Sequence, residues 1–265
     1  MLYARVWHGG RELYGVLDGE ALRPITGEIF GEHEVSGAAI PVADVQILAP
    51  VRPGKVLAAA VNYHSHLPSG RTVLKDDAPP AIPQLFLKPS SSIVGPGDTI
   101  LVPEGARRVD AEGEVVAVIG RLCRNVATSE ALECVFGYTC GNDVSARHWQ
   151  RDDIQWWRAK GSDTFSPIGP VIATGLDATS LGLMTRVNGV EVQRTTTVAL
   201  IHGVAELISF ASQAMTLEAG DLVFTGTPGE TPTMNDGDVV EVEVEGVGVL
   251  SNPVRRQSDS GLRRT

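Results

Sequence analysis

Asp110, Glu112 and Glu114 occupy alternate positions in Val109-Asp110-Ala111-Glu112-Gly113-Glu114, just ahead of a β-branched apolar run from Val115 to Ile119. The run reads as a buried strand. Side chains at i and i+2 of a strand share one face. Glu112 and Glu114 should therefore point the same way, with Asp110 able to join them. Like charges held that close are costly unless a cation sits between them. A hard divalent ion takes carboxylate oxygens and would relieve the repulsion. The same spacing recurs at Glu241 and Glu243, inside a regular terminal hairpin, where it reads as a solvated sheet face. An isolated E-x-E fits either role, so neighbouring chemistry must decide.

Further candidates lie along the chain. The apolar run Lys55–Val61 ends in Asn62-Tyr63-His64-Ser65-His66, a polar cluster at a strand end. Imidazole suits proton transfer near neutrality, although a structural histidine fits the same place. Asp143, before Val144-Ser145-Ala146, reads in isolation as a helix cap. Arg147 and Gln150 are three apart and share a face if helical. Lys160 opens a Gly- and Pro-rich loop in which a lysine can face a pocket, while Trp149, Trp156 and Trp157 read as packing residues. Gly226-Thr227-Pro228-Gly229 lacks the P-loop pattern, yet its backbone could approach a small anion.

These groups need elements to position them. The first 48 residues read as a small β-rich unit, with turns at His8-Gly9-Gly10 and Asp18-Gly19. Residues 54–254 hold the candidate chemistry, and the polar stretch 255–265 is expected to fray. Residues 67–83 read as a lid-like loop. Thr128–Phe136 carries helical spacing, Thr195–Met215 reads as a long helix, and Val187-Asn188-Gly189-Val190 is a hairpin signal. Strands outnumber helices, so the expected fold is mainly β with few helices, an α+β architecture.

A net charge of −10 argues against nucleic acid and against anionic membrane surfaces. There is no signal-peptide pattern and no apolar run of membrane-spanning length. Three cysteines without C-x-x-C predict reduced, packed thiols in a cytoplasmic protein.

With these pieces in place, the chain resembles the fumarylacetoacetate hydrolase family from about Leu48 to Val254. The resemblance rests on N-Y-x-x-H at Asn62–His66, F-x-K-P at Phe86–Pro89, and D-x-E-G-E followed by V-I-G at Asp110–Gly120. F-G-Y-x-x-x-N-D-V-S-A-R at Phe136–Arg147, A-K-G-x-D-x-F-x-P-I-G-P at Ala159–Pro170, and T-L-x-x-G-D-x-x-x-T-G-T-P-G at Thr216–Gly229 follow in order. It implies a β-roll catalytic core behind a small N-terminal β-rich domain, a homodimer, and Mg²⁺ (or Mn²⁺ or Ca²⁺) held by Glu112, Glu114 and Asp143. It also implies a 2-oxo or β-diketo acid substrate, chelated so that an enolate is stabilised, with His66 as general base. Arg147, Gln150 and Lys160 would serve the substrate carboxylate or oxyanion, as their chemistry also suggests. Thr227 would close on the substrate, with Tyr63 and Phe86 as pocket walls. The implied activity is metal-dependent hydrolysis of a C–C bond. Decarboxylation, tautomerisation or isomerisation, and hydration are alternatives, as is a degenerate homologue that binds without turnover.

Two departures from the family pattern matter. Ser69 stands where many members carry a lid glutamate paired with the histidine, and Pro68 and Gly70 disfavour a lid helix there. Asp76 or Asp77 is the expected substitute partner for His66. His148 stands where the family often has Asp, beside Arg147, and is expected to alter specificity.

Overall fold

The strand Gly113–Ile119 is buried at every position, and its apolar residues explain why. Val115 and Ala117 face one core, shared with Leu183, Val242, Val244 and Leu250. Val116 and Val118 face a second core, with Ala58, Ile168, Ile172 and Phe224. A strand covered on both faces carries a continuous apolar run rather than an alternating one. This is a computed structural model; it describes residues 1–67 and 78–257.

Gly113–Ile119 lies inside a 13-stranded sheet. Antiparallel neighbours flank it, Val135–Asn142 on one side and Leu222–Phe224 on the other. Leu222–Phe224 runs parallel to Val56–Ala60, which pairs with Gln84–Lys88. In the other direction Val135–Asn142 pairs with Ser166–Ala173. Leu2–His8 then joins Ser166–Ala173 through Leu2↔Ala173 and Tyr3↔Ile172. The N-terminal strands Leu2–His8, Arg11–Asp18 and Ala21–Gly27 thus prolong the sheet that carries the acidic strand. A five-stranded sheet, built from Ile100–Val102, Gly182–Val187, Val190–Thr196, Val239–Val244 and Gly248–Arg256, covers one face. The expectation of a mainly β, α+β fold holds.

Asn188 and Gly189 both adopt positive φ, 53° and 77°, as a two-residue hairpin turn of the primed type requires. Glu241 and Glu243 alternate with buried valines, as expected of a half-solvated strand. All three cysteines are free and buried. No helix among the described residues is long and apolar enough to cross a membrane.

Two expected helices are shorter than their patterns suggested. Helix stops at Ala131, a 3-10 turn spans Leu132–Cys134, and Val135 and Phe136 begin a strand. Their β-branching and aromaticity suit the sheet beside Ile119, and tertiary pairing overrides the helical spacing. The long helix covers only Val204–Ala214. Thr195 and Thr196 finish a strand, and Val198 is exposed. The true helix buries Val204, Leu207, Ile208 and Ala211, the i, i+3, i+4, i+7 stripe of one face. The last strand includes Arg255 and Arg256, reaching into the stretch expected to fray; residues 258–265 of that stretch lie outside the described residues.

Candidate metal centre and active site

Sheet register brings the carboxylates together. Gly113 pairs with Asn142 and Glu114 with Gly141, so Glu112 and Asp143, one step beyond, face each other. The Asp143 N–H donates to the Glu112 carbonyl at 2.9 Å, and the Glu112 N–H donates to the Asn142 side-chain oxygen at 2.9 Å. One oxygen from each of Glu112, Glu114 and Asp143 lies within 4.8 Å of the others, and all three residues are buried. Gly113 has no room for a side chain, since a Cβ would stand 2.0 Å from Thr185 Oγ1. Gly226, at φ +103°, donates its N–H to Glu114 Oε2 at 2.6 Å.

Lysines answer these charges. The Lys160 ammonium bridges Glu112 and Asp143 at 2.5 Å each. Lys88 Nζ donates to Asp143 and, at 2.9 Å, to the Phe165 carbonyl. Glu112 and Asp143 already share a cation, and an all-oxygen set with open positions is what a hard divalent ion takes. Burial, followed by the Asp143 and Glu112 charges, pushes the Glu114 carboxyl well above its ordinary value. Burial acts the same way on Glu112, but Arg147 and Lys160 outweigh it and hold that carboxyl well below. Asp143 does not cap a helix. The next helix begins at Arg147, and the Asp143 side chain turns instead to the two lysines.

Asp110 does not join the cluster of three. Its fully buried carboxylate accepts from Arg108, Arg147, Thr231 and Thr233. Arg147 thereby links Asp110 (2.9 Å), Glu112 (2.5 Å) and Gln150 (2.9 Å). Strand alternation alone could not separate these roles. The chain leaves strand geometry between Asp110 and Gly113.

His66 sits on a 3-10 turn, Tyr63 being its N-terminal boundary residue. The turn follows Val61, a β-branched residue at φ 52°, a conformation that stores about 1–3 kcal/mol of strain. Asn62 holds it. Its amide donates to the His202 and Thr225 carbonyls at 2.9 and 2.8 Å and accepts the His202 N–H at 2.8 Å. His66 Nδ1 lies 2.5 Å from the Gly229 carbonyl. A carbonyl only accepts, so Nδ1 carries the proton and Nε2 has the free lone pair. Burial pushes the imidazole below its ordinary value of 6.5, against the Glu112 charge and the Gly229 carbonyl. Gln193, from the facing sheet, donates to Thr227 Oγ1 and to the Pro228 and Glu230 carbonyls at 3.1, 2.7 and 3.2 Å, bracing this turn.

A cleft of about 410 Å³ opens onto His66, Arg108, Arg147, Gln150, Arg151, Glu230 and Thr231. Thr227 is buried and does not line it. Tyr63 and Phe86 do not line this opening. Tyr63 is fully buried, its hydroxyl without a partner among the described residues. Phe86 lies under the Lys160 ammonium at 5.2 Å and against Trp156. Trp157, expected to pack, is exposed. His148 lies against Trp149, its ring tilted 43° to the indole, rather than lining the cleft. Ser69, Asp76 and Asp77 lie outside the described residues. Sequence reasoning gave no role to Lys88, Gln193 or the Asn62 clamp. For Lys88 a signal existed, because it stands two residues from Phe86 on a strand and shares its face.

A profile described as "Fumarylacetoacetate (FAA) hydrolase C-terminal" matches residues 55–255. The chain belongs to the fumarylacetoacetate hydrolase family. A second profile, "Rv2993c-like, N-terminal", matches residues 1–50. Within the family, a mitochondrial oxaloacetate tautomerase of Xenopus laevis is 38% identical over 226 residues, covering 80% of this chain and 69% of that one. A crystal structure of 5-carboxymethyl-2-hydroxymuconate delta-isomerase from Mycobacterium smegmatis superposes with a TM-score of 0.89 at 42% identity, covering 97% of this chain and all (100%) of that one. A maleylpyruvate hydrolase from Sphingobium sp. SYK-6, crystallised with manganese(II) and pyruvate, gives a TM-score of 0.80 at 29% identity, with coverage of 97% and 100%.

Proposed function

We propose that this protein is a divalent-metal-dependent enzyme that moves a proton on a 2-oxo acid, interconverting keto and enol forms or shifting a conjugated double bond. The observation that carries this reading is the His66 geometry: Nδ1–H is taken by a backbone carbonyl, and the residue borders the cleft beside the carboxylate cluster. Glu112, Glu114 and Asp143 would hold Mg²⁺ or Mn²⁺. When bound, such an ion supplies Lewis-acid charge for enolate chemistry. His66 Nε2 takes a proton from the carbon next to the carbonyl and returns it elsewhere on the same substrate. Arg147 and Gln150 orient the carboxylate, and Lys160 lends positive charge. The tautomerase and isomerase among the relatives support this chemistry.

C–C hydrolysis, the activity implied by the sequence resemblance, is the second reading, supported by the manganese- and pyruvate-bound hydrolase. It needs a water-activating dyad. Among the described residues, His66 Nδ1 meets a carbonyl rather than a carboxylate.

The test follows the ultraviolet enol absorbance of oxaloacetate and acetylpyruvate with Mn²⁺ and with EDTA, with products weighed by mass spectrometry. Metal-dependent enol loss at unchanged mass supports proton transfer; metal-dependent cleavage products support hydrolysis. Absence of turnover on either acid overturns both.

The base also sets a pH expectation. His66 must be neutral to act, and burial lowers its affinity for a proton. The acid limb of kcat/KM should therefore lie below pH 6.5, the ordinary histidine value, and His66→Gln should lose about 10²–10⁴-fold. The same shift has a stability side. Below 6.5 the unfolded chain takes the proton more readily than the folded one, so this group's contribution is lost as pH falls through that value toward its folded pKa. A limb centred above 6.5 would contradict the assignment.

A further inference from the structure

We infer that Gln193 is a positioning residue for the proton transfer: it holds the turn at 226–230 so that the Gly229 carbonyl, and neither neighbouring carbonyl, faces His66. This rests on the proton-transfer reading above. Gln193 stands on Val190–Thr196, the edge strand of the five-stranded sheet. It is buried, while every other residue of that strand is exposed or half-buried. A break in the ladder aims it inward. Thr185 pairs with Gln193 but Arg186 pairs with Glu191, so Val192 is the extra residue of a bulge. Bulges re-aim the side chains beside them.

The inward amide spans two parts of the site. Its Oε1 accepts from the N–H of Gly113, the residue between Glu112 and Glu114, at 3.4 Å. Its Nε2 donates to the Thr227 hydroxyl and to the Pro228 and Glu230 carbonyls. Carbonyls only accept, so the donor end of the amide must face the turn. Those two carbonyls flank Gly229, which takes a positive φ of 58° that favours glycine. The Gly229 peptide groups go elsewhere, to the turn that carries the base. Its carbonyl meets His66 Nδ1 at 2.5 Å, and its N–H donates to Ser65 Oγ at 3.0 Å. Gln193 thus fixes the peptides on either side and leaves the Gly229 carbonyl to hold the Nδ1 proton. It sets the free lone pair of Nε2 without touching the imidazole.

Gln193→Met keeps the length of the side chain and removes its donors; Gln193→Asn keeps the amide but shortens its reach, and serves if the first variant does not fold. The deciding readout is the His66 tautomer in the metal-free protein. Proton–nitrogen correlation spectra of isotope-labelled histidine, with the His66 signals identified by their loss in His66→Gln, report it directly. At about pH 8, where imidazole is neutral, the wild type should show the Nδ1–H form alone and the variant a mixture of both forms. In the Mn²⁺-loaded variant kcat on oxaloacetate should fall about 100-fold, with KM within about threefold because Arg147 and Gln150 still hold the carboxylate. An unchanged tautomer in a folded variant, or a loss carried by KM alone, overturns the role of Gln193 and leaves the proton-transfer reading intact. A wild-type His66 without the Nδ1 proton overturns the base assignment and this role with it.

Discussion

Glu114→Gln is expected to lose metal-dependent turnover by at least about a thousandfold, or about 4 kcal/mol at 1.36 kcal/mol per decade, while the metal-free variant stays within about 1 kcal/mol of wild-type stability. The asymmetry follows from the site's charges. Burial and two neighbouring carboxylates raise the Glu114 carboxyl well above its ordinary value, a shift toward its neutral form when no metal is bound. Gln has nearly the same shape, and its carbonyl still accepts the Gly226 N–H. A neutral amide therefore suits the metal-free surroundings of Glu114. A divalent cation, by contrast, needs the proton gone. In the wild type, Mn²⁺ at a hundred times its dissociation constant should stabilise by about 2.7 kcal/mol, seen as a higher Tm. Glu114→Gln should remove most of that rise. An equal Mn²⁺-dependent Tm increase in the variant would take Glu114 out of the binding set.

Asn62→Leu is expected to destabilise the protein by about 4 kcal/mol although the side chain keeps its branched shape. Asn62 is buried, and all three of its hydrogen bonds go to backbone groups: the His202 and Thr225 carbonyls and the His202 N–H. Leucine would leave those three groups unpaired in the interior, at about 1–3 kcal/mol each, partly offset by local relaxation. The clamp also ties the strained Val61 turn to the strand ending at Phe224 and to the segment before the helix Val204–Ala214. His66 should therefore lose its register with Gly229 in molecules that remain folded. Urea unfolding gives the stability change, and kcat/KM measured well below the new midpoint gives the second effect. A loss under about 1 kcal/mol would mean that other contacts hold the turn.

Much of the site was legible in the sequence because strand periodicity speaks directly about side-chain direction. Glu112 and Glu114 converge as the i, i+2 spacing suggested, although Glu112 itself lies just outside the strand. Asp143 was legible only through family resemblance: its partnership with Glu112 is a matter of register, and pairing partners far apart in sequence leave no local trace. The same reason hid Gln193, brought in by the facing sheet, whereas Lys88 carried a local signal in its spacing from Phe86. Asp110 fitted the alternation yet serves Arg147, because two residues of non-strand backbone interrupt the ladder. The helices at Thr128 and Thr195 were overread for a related cause. Apolar residues at helical spacing also suit two buried sheet faces, and only the neighbours decide. The hairpin at Asn188-Gly189, by contrast, is dictated by its own two residues.

The pairing of Leu2–His8 with Ser166–Ala173 makes the amino-terminal strands a guard as well as an extension. Without them, Ile172 and Ala173 would present unpaired N–H and C=O groups along an apolar border, and the core would lose Ala4, Val6 and Leu22. Open borders of that kind recruit strands from other molecules. A fragment starting near residue 50 would retain every side chain of the candidate site, yet it should self-associate through that border. Loss of activity in such a fragment would then report on colloidal behaviour rather than on chemistry.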